Sequence, residues 1–445
     1  MNKPSLVISC PIDTYSGYGA RARDFVKALL NLEKYDVKIL PQRWGSTPEN
    51  FLEDNEEWTY LKNYLIFQLD KQPDIWIQHS IPNEFQKIGK YNIGLTAGIE
   101  TTLCKAEWIE GLNRMDLILG SSNHTLNSFK QSTFEKRDKN SNQLVGYVKV
   151  EKPMEVIFEG IDIDIFKPEK SNFKLNKIKE DFNFLFVGHW MQGNVGEDRK
   201  NVGLLVKLFF ELFKNNKNAP GLILKTSTGV TSNGDRVSIL KKIDTIRKSV
   251  DAKRLPNVYV VHGDMTNKEL NSLYNHKKVK AMISLTKGEG FGRPLLEFSM
   301  TKKPIIATGW SGHVDFLDKD LSILLGGKLQ KVDKTAVNNW IIKDSEWFNV
   351  DVQSFANAAM ALFTDYDTWM RKGKTQGTNN RKKFSLKEME NTIDNILSKY
   401  IPDFPKEVQV NIPNLNLPKL QKLKKEDKPK LPKLKIPKLQ KVTNE

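Results

Sequence analysis

Short apolar runs separated by helical patterns recur in two series along this chain, and that alternation restricts its fold more than any other feature. In the first series LVISC (6–10), VKIL (37–40), IWIQ (75–78), NIGLTAG (92–98) and LILGSS (117–122) read as strands, with a helix from about Ala20 to Leu32. In the second, NFLFVG (183–188), LILKTS (222–227), VYVVHG (258–263), AMISLT (281–286) and PIIATG (304–309) read as strands, and Val202–Phe213 is apolar at helical spacing. Strands alternating with helices argue for crossover connections and a mainly parallel sheet. Two α/β domains are therefore expected, at 1–160 and 161–385, with the boundary in GIDIDIFKPEK (160–170). A last helical pattern, Leu386–Tyr400 within 386–402, follows the second sheet and is able to pack back on the N-terminal domain.

With 445 residues, 39% of them hydrophobic, and nine tryptophans, the chain has material for two cores. No apolar run is long enough for a transmembrane helix, and the N-terminus reads as a strand entry, not a signal peptide. Cys10 and Cys104 alone build neither a disulfide framework nor a zinc site; buried inert thiols in a cytoplasmic setting fit them. The net charge of +16 is unevenly spread. Residues 405–445 hold eleven lysines and four acids, which leaves +9 for the rest. There PKL recurs four times, and prolines this frequent forbid a continuous helix, so 403–445 reads as an extended or disordered basic tail. A basic body suits a phosphate-bearing substrate, and the tail suits a polyanion, either nucleic acid or an anionic membrane surface.

The segment AMISLTKGEGFGRPLLEF carries the clearest chemistry. A strand ends near Thr286, a turn follows with Gly288, Gly290 and Gly292, and a helix starts with Pro294 in its first turn. Backbone N–H groups at such a start attract anions, and glycines allow a diphosphate to approach closely. Glu289 and Glu297 repel phosphate but accept hydrogen bonds from hydroxyls, which sugars and ribose supply. Together these outline a nucleotide-sugar pocket.

GEGFGRPLLE resembles the E-x7-E signature of the retaining glycosyltransferases of the GT-B fold, family four in particular. EVIFEGIDIDIFKP (155–168) is similar to their interdomain segment, and FVGHWMQGNVGEDRKNVGLLVKLF to the first strand and helix of their C-terminal domain. CPIDTYSGYGARARDFVKAL resembles the Gly-containing loop and helix after their first strand. The resemblance implies two Rossmann-like domains facing a cleft. It also implies a nucleotide diphosphate sugar as co-substrate, no resident cofactor or metal, and transfer to a hydroxyl acceptor with retention. Carried over by position, Glu289 lies near the transferred sugar, Glu297 lies against the ribose, and Lys200 with Arg199 neutralises the diphosphate. Gly188, Phe291 and the three loop glycines line the donor site, and Gly17 and Gly19 reach it from the first domain. The Arg usual after the first glycine of the second domain is replaced by His189.

IPNEF (81–85) and TAGIETT (96–102) leave predicted strands at loops, where ligands of open α/β sheets bind. Glu84, Glu100 and Thr101 are candidates for acceptor contacts or proton handling, Glu100 among the catalytic group. Many members of the family place a His near the Glu100 region, and this sequence shows none there. DID (162–164) matches a metal-binding D-x-D pattern but falls in the interdomain stretch, and the histidines show no ligand spacing, so no metal site is expected. The acceptor reads as a glycan, lipid-linked or protein hydroxyl. A modified base in DNA is the alternative, kept by the basic charge. A non-catalytic binding protein would lack an acid or Lys200, and all are present.

Overall fold

The structure, a computed structural model, describes residues 3–229 and 231–404. The tail expected at 403–445 therefore lies outside the described residues from 405 onward. The first half runs β1 (Ser5–Cys10), α1 (Gly17–Asn31), β2 (Asp36–Pro41), α2 (Phe51–Asp54), β3 (Ile75–His79), β4 (Tyr91–Thr96), α3 (Ala106–Asn113), β5 (Leu117–Gly120) and α4 (Asn123–Gln131). A hairpin, β6 (Phe134–Arg137) and β7 (Leu144–Val148), precedes β8 (Met154–Val156). The second half runs β9 (Asn183–Val187), α5 (Val202–Phe213), β10 (Gly221–Lys225), α6 (Asn233–Lys248), β11 (Val258–Val261), α7 (Asn267–Asn275), β12 (Val279–Ser284), α8 (Arg293–Ser299), β13 (Ile305–Thr308) and β14 (Ile323–Leu325). A second hairpin, β15 (Gly327–Lys331) and β16 (Glu346–Val350), is followed by α9 (Val352–Thr364), α10 (Tyr366–Lys383) and α11 (Leu386–Tyr400).

Two six-stranded sheets result, ordered β2–β1–β3–β4–β5–β8 and β11–β10–β9–β12–β13–β14, with every pairing parallel. Their strands are apolar on both faces because helices cover both faces; Phe184, Leu185, Phe186, Ile306 and Ala307, for example, are buried. In each sheet the chain reverses direction of travel next to its first strand, between β1 and β3 and between β9 and β12. Such a switch point opens a crevice at the carboxyl ends of those strands. The loops after β9 and β12 carry residues 188–201 and 285–292. Helix α11 lies against α1, where Asn31 Nδ2 donates to Glu390, and Lys399 and Tyr400 both reach Glu155. Among the described residues no helix is long and apolar enough to cross a membrane.

The sheets meet through loops at their carboxyl ends. A Cβ on Gly288 would stand 1.9 Å from the Glu100 carbonyl, and one on Gly290 would stand 2.5 Å from that of Ala97. Ser121 and Ser122 donate to the Gly290 carbonyl at 3.1 and 2.5 Å. The sequence reading assigned these glycines to a ligand's approach. At both positions the space a side chain would take is filled by the facing domain's backbone, so the lack of a Cβ also serves contact between the domains. Gly288→Ala is expected to destabilise the protein by about 1–3 kcal/mol through overpacking. Gly17→Ala, with nothing within 4 Å of its added Cβ, should change stability by less than about 1 kcal/mol. Urea unfolding of the two variants checks the contrast.

Candidate functional site

Strand β9 ends at Val187, and Gly188 turns the chain out of the sheet with φ +155° while its N–H donates to Lys225 O at 3.1 Å. The loop re-enters α5 through Asn201, whose φ of +57° is a left-handed conformation that asparagine tolerates. Arg199 and Lys200 immediately precede that turn, which aims both side chains at the loop after β12. Lys200 Nζ contacts both carboxylate oxygens of Glu289, at 2.6 and 2.8 Å. Arg199 Nη1 lies 3.2 Å from Glu100, 3.6 Å from Glu289 and 3.0 Å from the Gly288 carbonyl. Charges therefore alternate from Glu100 of the first domain through Arg199 and Glu289 to Lys200. Burial alone would raise the Glu289 carboxyl, but Lys200 and Arg199 outweigh it and hold its pKa at about 2. Burial lowers the Lys200 pKa against the pull of Glu289.

Glu297 belongs to a second buried cluster. Its Oε1 accepts from Arg293 Nε at 2.8 Å, and Tyr274 donates to Oε2 at 3.4 Å. Arg293 Nη1 continues to Asp24 at 2.7 Å and towards Glu159 at 3.9 Å, tying α8 to α1. Burial raises the Glu297 pKa, although Arg293 opposes it. Glu289 and Glu297 thus serve different cations, and both oxygens of Glu297 have partners within the protein.

Two spaces lie beside Val187, at the end of β9. A small, water-sized one is lined by Val187, Lys200, Glu289, Gly292 and Pro294. A cavity of about 450 Å³ opens between the domains, lined by Tyr15, Ser16, Arg23 and Phe51 on one side and by Val187, Lys225, Asp264 and Thr266 on the other. Val187 lines both. Gly17 follows Ser16 at the α1 start and is exposed, whereas Gly19 is buried because a Cβ there would meet Thr14 O at 2.3 Å. His189 remains exposed, with Nδ1 3.0 Å from Ser227 Oγ; partial burial and the Lys200 and Lys225 charges lower its pKa, so it is neutral at pH 7.

Other expected residues are not brought to the cluster. The Thr101 hydroxyl donates to Leu103 O at 3.0 Å from a fully buried position, so the acceptor contact expected of it is corrected to a loop-shaping bond. Phe291 is likewise buried, packed 5.1 Å from Phe316 in the core, and lines neither of the two cavities described above. Glu84 is exposed and bonded to Ser80, six residues beyond the end of the β3 apolar run as read from sequence. Asp162 pairs with Lys27 at 3.3 Å, and its other oxygen accepts from the Asp164 N–H. Among the described residues no group of three His, Cys, Asp or Glu side chains is arranged to hold a metal ion.

Residues that the sequence reading passed over also enter the site. His124, from α4, lies 3.1 Å from Ile99 O and edge-on to Trp310 at 4.6 Å, so a histidine does stand beside the Glu100 loop. His313 is fully buried, 2.6 Å from Thr308 O, and its Cβ occupies the space beside Gly292. Lys225 and Asp264, at the ends of β10 and β11, had no motif around them; only the sheet order signals their position.

No protein-family model and no curated protein matches the chain. Solved structures do match it. Sucrose-phosphate synthase from Thermosynechococcus elongatus superposes with a TM-score of 0.57 at 12% identity, covering 89% of this chain and 99% of that one. A glycosyltransferase from Rickettsia africae gives 0.56 at 14% identity, with 91% and 100% covered. Anabaena HepE in complex with UDP-glucose gives 0.51 at 12%, with 89% and 100% covered. The chain thus has the two-domain, Rossmann-like fold of these glycosyltransferases along nearly their full length.

The depressed Glu289 pKa makes a stability prediction. A carboxylate held at about 2 in the folded state, against 4.5 ordinarily, contributes stability that is complete above 4.5 and lost as pH falls towards 2. Glu289→Gln is therefore expected to be less stable than the wild type at pH 7, with the gap narrowing between pH 4.5 and 2. Chemical unfolding of both proteins across that range is the check.

Proposed function

We propose that the protein transfers a glycosyl group from a nucleotide diphosphate sugar to a hydroxyl acceptor, with retention of configuration. The observation that carries this reading is the Lys200–Glu289–Arg199 cluster, whose Lys200 and Glu289 line a water-sized space that shares Val187 with an interdomain cavity of about 450 Å³. That volume lies within the range of small-ligand sites. The nucleoside would occupy the cavity, between the Tyr15–Arg23 side and the Lys225–Thr266 side. Its diphosphate would then lie towards Lys200, Arg199 and Lys225, with His189 as a neutral hydrogen-bond partner.

The chemistry follows from charge. Breaking the bond from the anomeric carbon to the diphosphate oxygen leaves negative charge on the leaving group, and fixed cations in a water-poor site stabilise it. Lys200 and Arg199 are held in place beforehand by Glu289 and Glu100, so little reorganisation is needed. As the diphosphate takes up their positive charge, Glu289 becomes available to sugar hydroxyls. The acceptor oxygen forms the new bond to the anomeric carbon, and its proton passes to the departing phosphate or to Glu100. Nothing in this scheme requires a resident metal or cofactor.

We assign the acceptor to the Glu100 and His124 side, as a hydroxyl of a glycan, a lipid-linked glycan or a protein. Two buried, unpaired thiols, Cys10 and Cys104, suit a reducing cytoplasmic setting. The test is nucleotide diphosphate release from UDP-, GDP- and ADP-sugars, with glycan, lipid-linked and hydroxymethylated-DNA acceptors, in wild type, Lys200→Ala and Glu289→Ala. Each variant is expected to lose roughly 100- to 1000-fold in kcat. Turnover unchanged in both variants would overturn the assignment, and transfer only to DNA would replace the acceptor class.

A further inference from the structure

The segment after β14 does more than close the second sheet. It leaves that sheet as the β15–β16 hairpin and crosses to the first domain, where Val332, Ile341 and Trp347 are buried in the same core as Trp76, Phe85, Ile99 and Trp108. Trp340, in the connecting loop, packs 6.4 Å from Trp108. One edge of β16 pairs with β15 in antiparallel register, Trp347 opposite Gln330 and Asn349 opposite Lys328. Backbone groups on its other edge need partners, as on any edge strand, and they find them in both domains.

Glu346 exchanges two bonds with Thr102, its carbonyl accepting from the Thr102 N–H and its N–H donating to the Thr102 hydroxyl, both at 2.9 Å. Two residues on, the Phe348 N–H donates to Lys287 O at 2.9 Å. Two strand residues span about 7 Å. One short strand therefore ties together the backbone next to Glu100 and the backbone next to Glu289. Lys287 completes the link. Its N–H donates to Arg199 O at 2.8 Å, and its fully buried side chain bonds to Asn349 and lies 5.0 Å from the centre of the Trp347 ring. A lysine buried this completely retains its charge only with partners: Asn349, Trp347 and Asp333 act on it from the hairpin, and the Glu197 and Asp198 carboxylates from the loop that carries Arg199.

We infer that the 327–350 hairpin is a positioning strap for the reacting groups, and that Lys287 is the positioning residue through which it sets Arg199 and Glu289 against Glu100. Lys287 lines neither cavity. It acts on the site through its peptide bonds and through the strap. Loosening it releases the two loops together, because β16 holds both.

Two variants test this: Lys287→Met, which keeps the stem and removes the ammonium, and Asn349→Leu, which removes its acceptor. Hydrogen exchange is read at 98–104 and 285–292 in the full chain. Exchange in both segments is expected to rise roughly tenfold in both variants, while Asn349→Asp, which keeps an acceptor, stays near wild type. If Lys287→Met fails to fold, Asn349→Leu against Asn349→Asp decides alone. A rise in only one segment, or in neither, overturns the inference. The kinetic arm rests on the proposed glycosyl transfer: with UDP-glucose or whichever sugar nucleotide the wild type turns over, kcat falls roughly 10- to 100-fold with KM for the donor little changed. A raised KM at unchanged kcat overturns the positioning role. A wild type that turns over no donor refutes the transfer reading alone, since the exchange arm still decides whether the strap couples the loops.

Discussion

Arg199 stands between two carboxylates that come from different sheets, Glu100 and Glu289, and Lys200 closes the series at Glu289. Both cations have side chains only 15% exposed. Charges buried to this degree are tolerated only when paired, and removing one member leaves its partner uncompensated. The arrangement thus constrains both loops at once: neither can move without exposing or orphaning a charge. In the proposed reaction the cations must be held ready for an anion, and the two glutamates are the groups that hold them.

Steric contact supports the electrostatics. Gly288 and Gly290 let the loop after β12 touch the carbonyls of Glu100 and Ala97, and Ser121 and Ser122 anchor the Gly290 carbonyl. Across the cleft, Arg293 ties α8 to Asp24 of α1. The 327–350 strap adds backbone bonds at Thr102 and Lys287. These are different kinds of interaction, made by segments far apart in the chain, and all of them bear on the loops 97–102 and 285–292. The larger cavity lies to one side, where Tyr15 and Phe51 face Asp264 and Thr266.

Periodicity made much of the fold legible. The apolar runs at 6–10 and 75–78 lie on strands, those at 183–188 and 281–286 begin on strands that end at Val187 and Ser284, and Val202–Phe213 and Leu386–Tyr400 are helices with those limits. Strands β8 and β14 escaped because three residues carry no period. The hairpin strands FEKR and GKLQK escaped because they are polar and exposed, with no buried face to produce alternation. At the site, Glu289, Lys200 and Arg199 were readable from their motifs. Arg293 was not, although it neighbours Glu297 on the same helix, because an arginine in a first turn has no distinguishing local pattern.

The sequence by itself determined the two parallel sheets and the residue types at their switch points, since strand-and-helix alternation and glycine-rich turns are local properties of the chain. Only the tertiary structure decided what those residues face. Glycines read as room for a ligand meet the opposing domain's carbonyls, and Thr101 shapes its own loop. His124 arrives beside Glu100 from 24 positions along the chain. A buried lysine one residue before Gly288 becomes the junction of the strap. Each of these depends on which segments meet across the cleft, and such meetings are set by packing and charge pairing between distant residues, which no local pattern encodes.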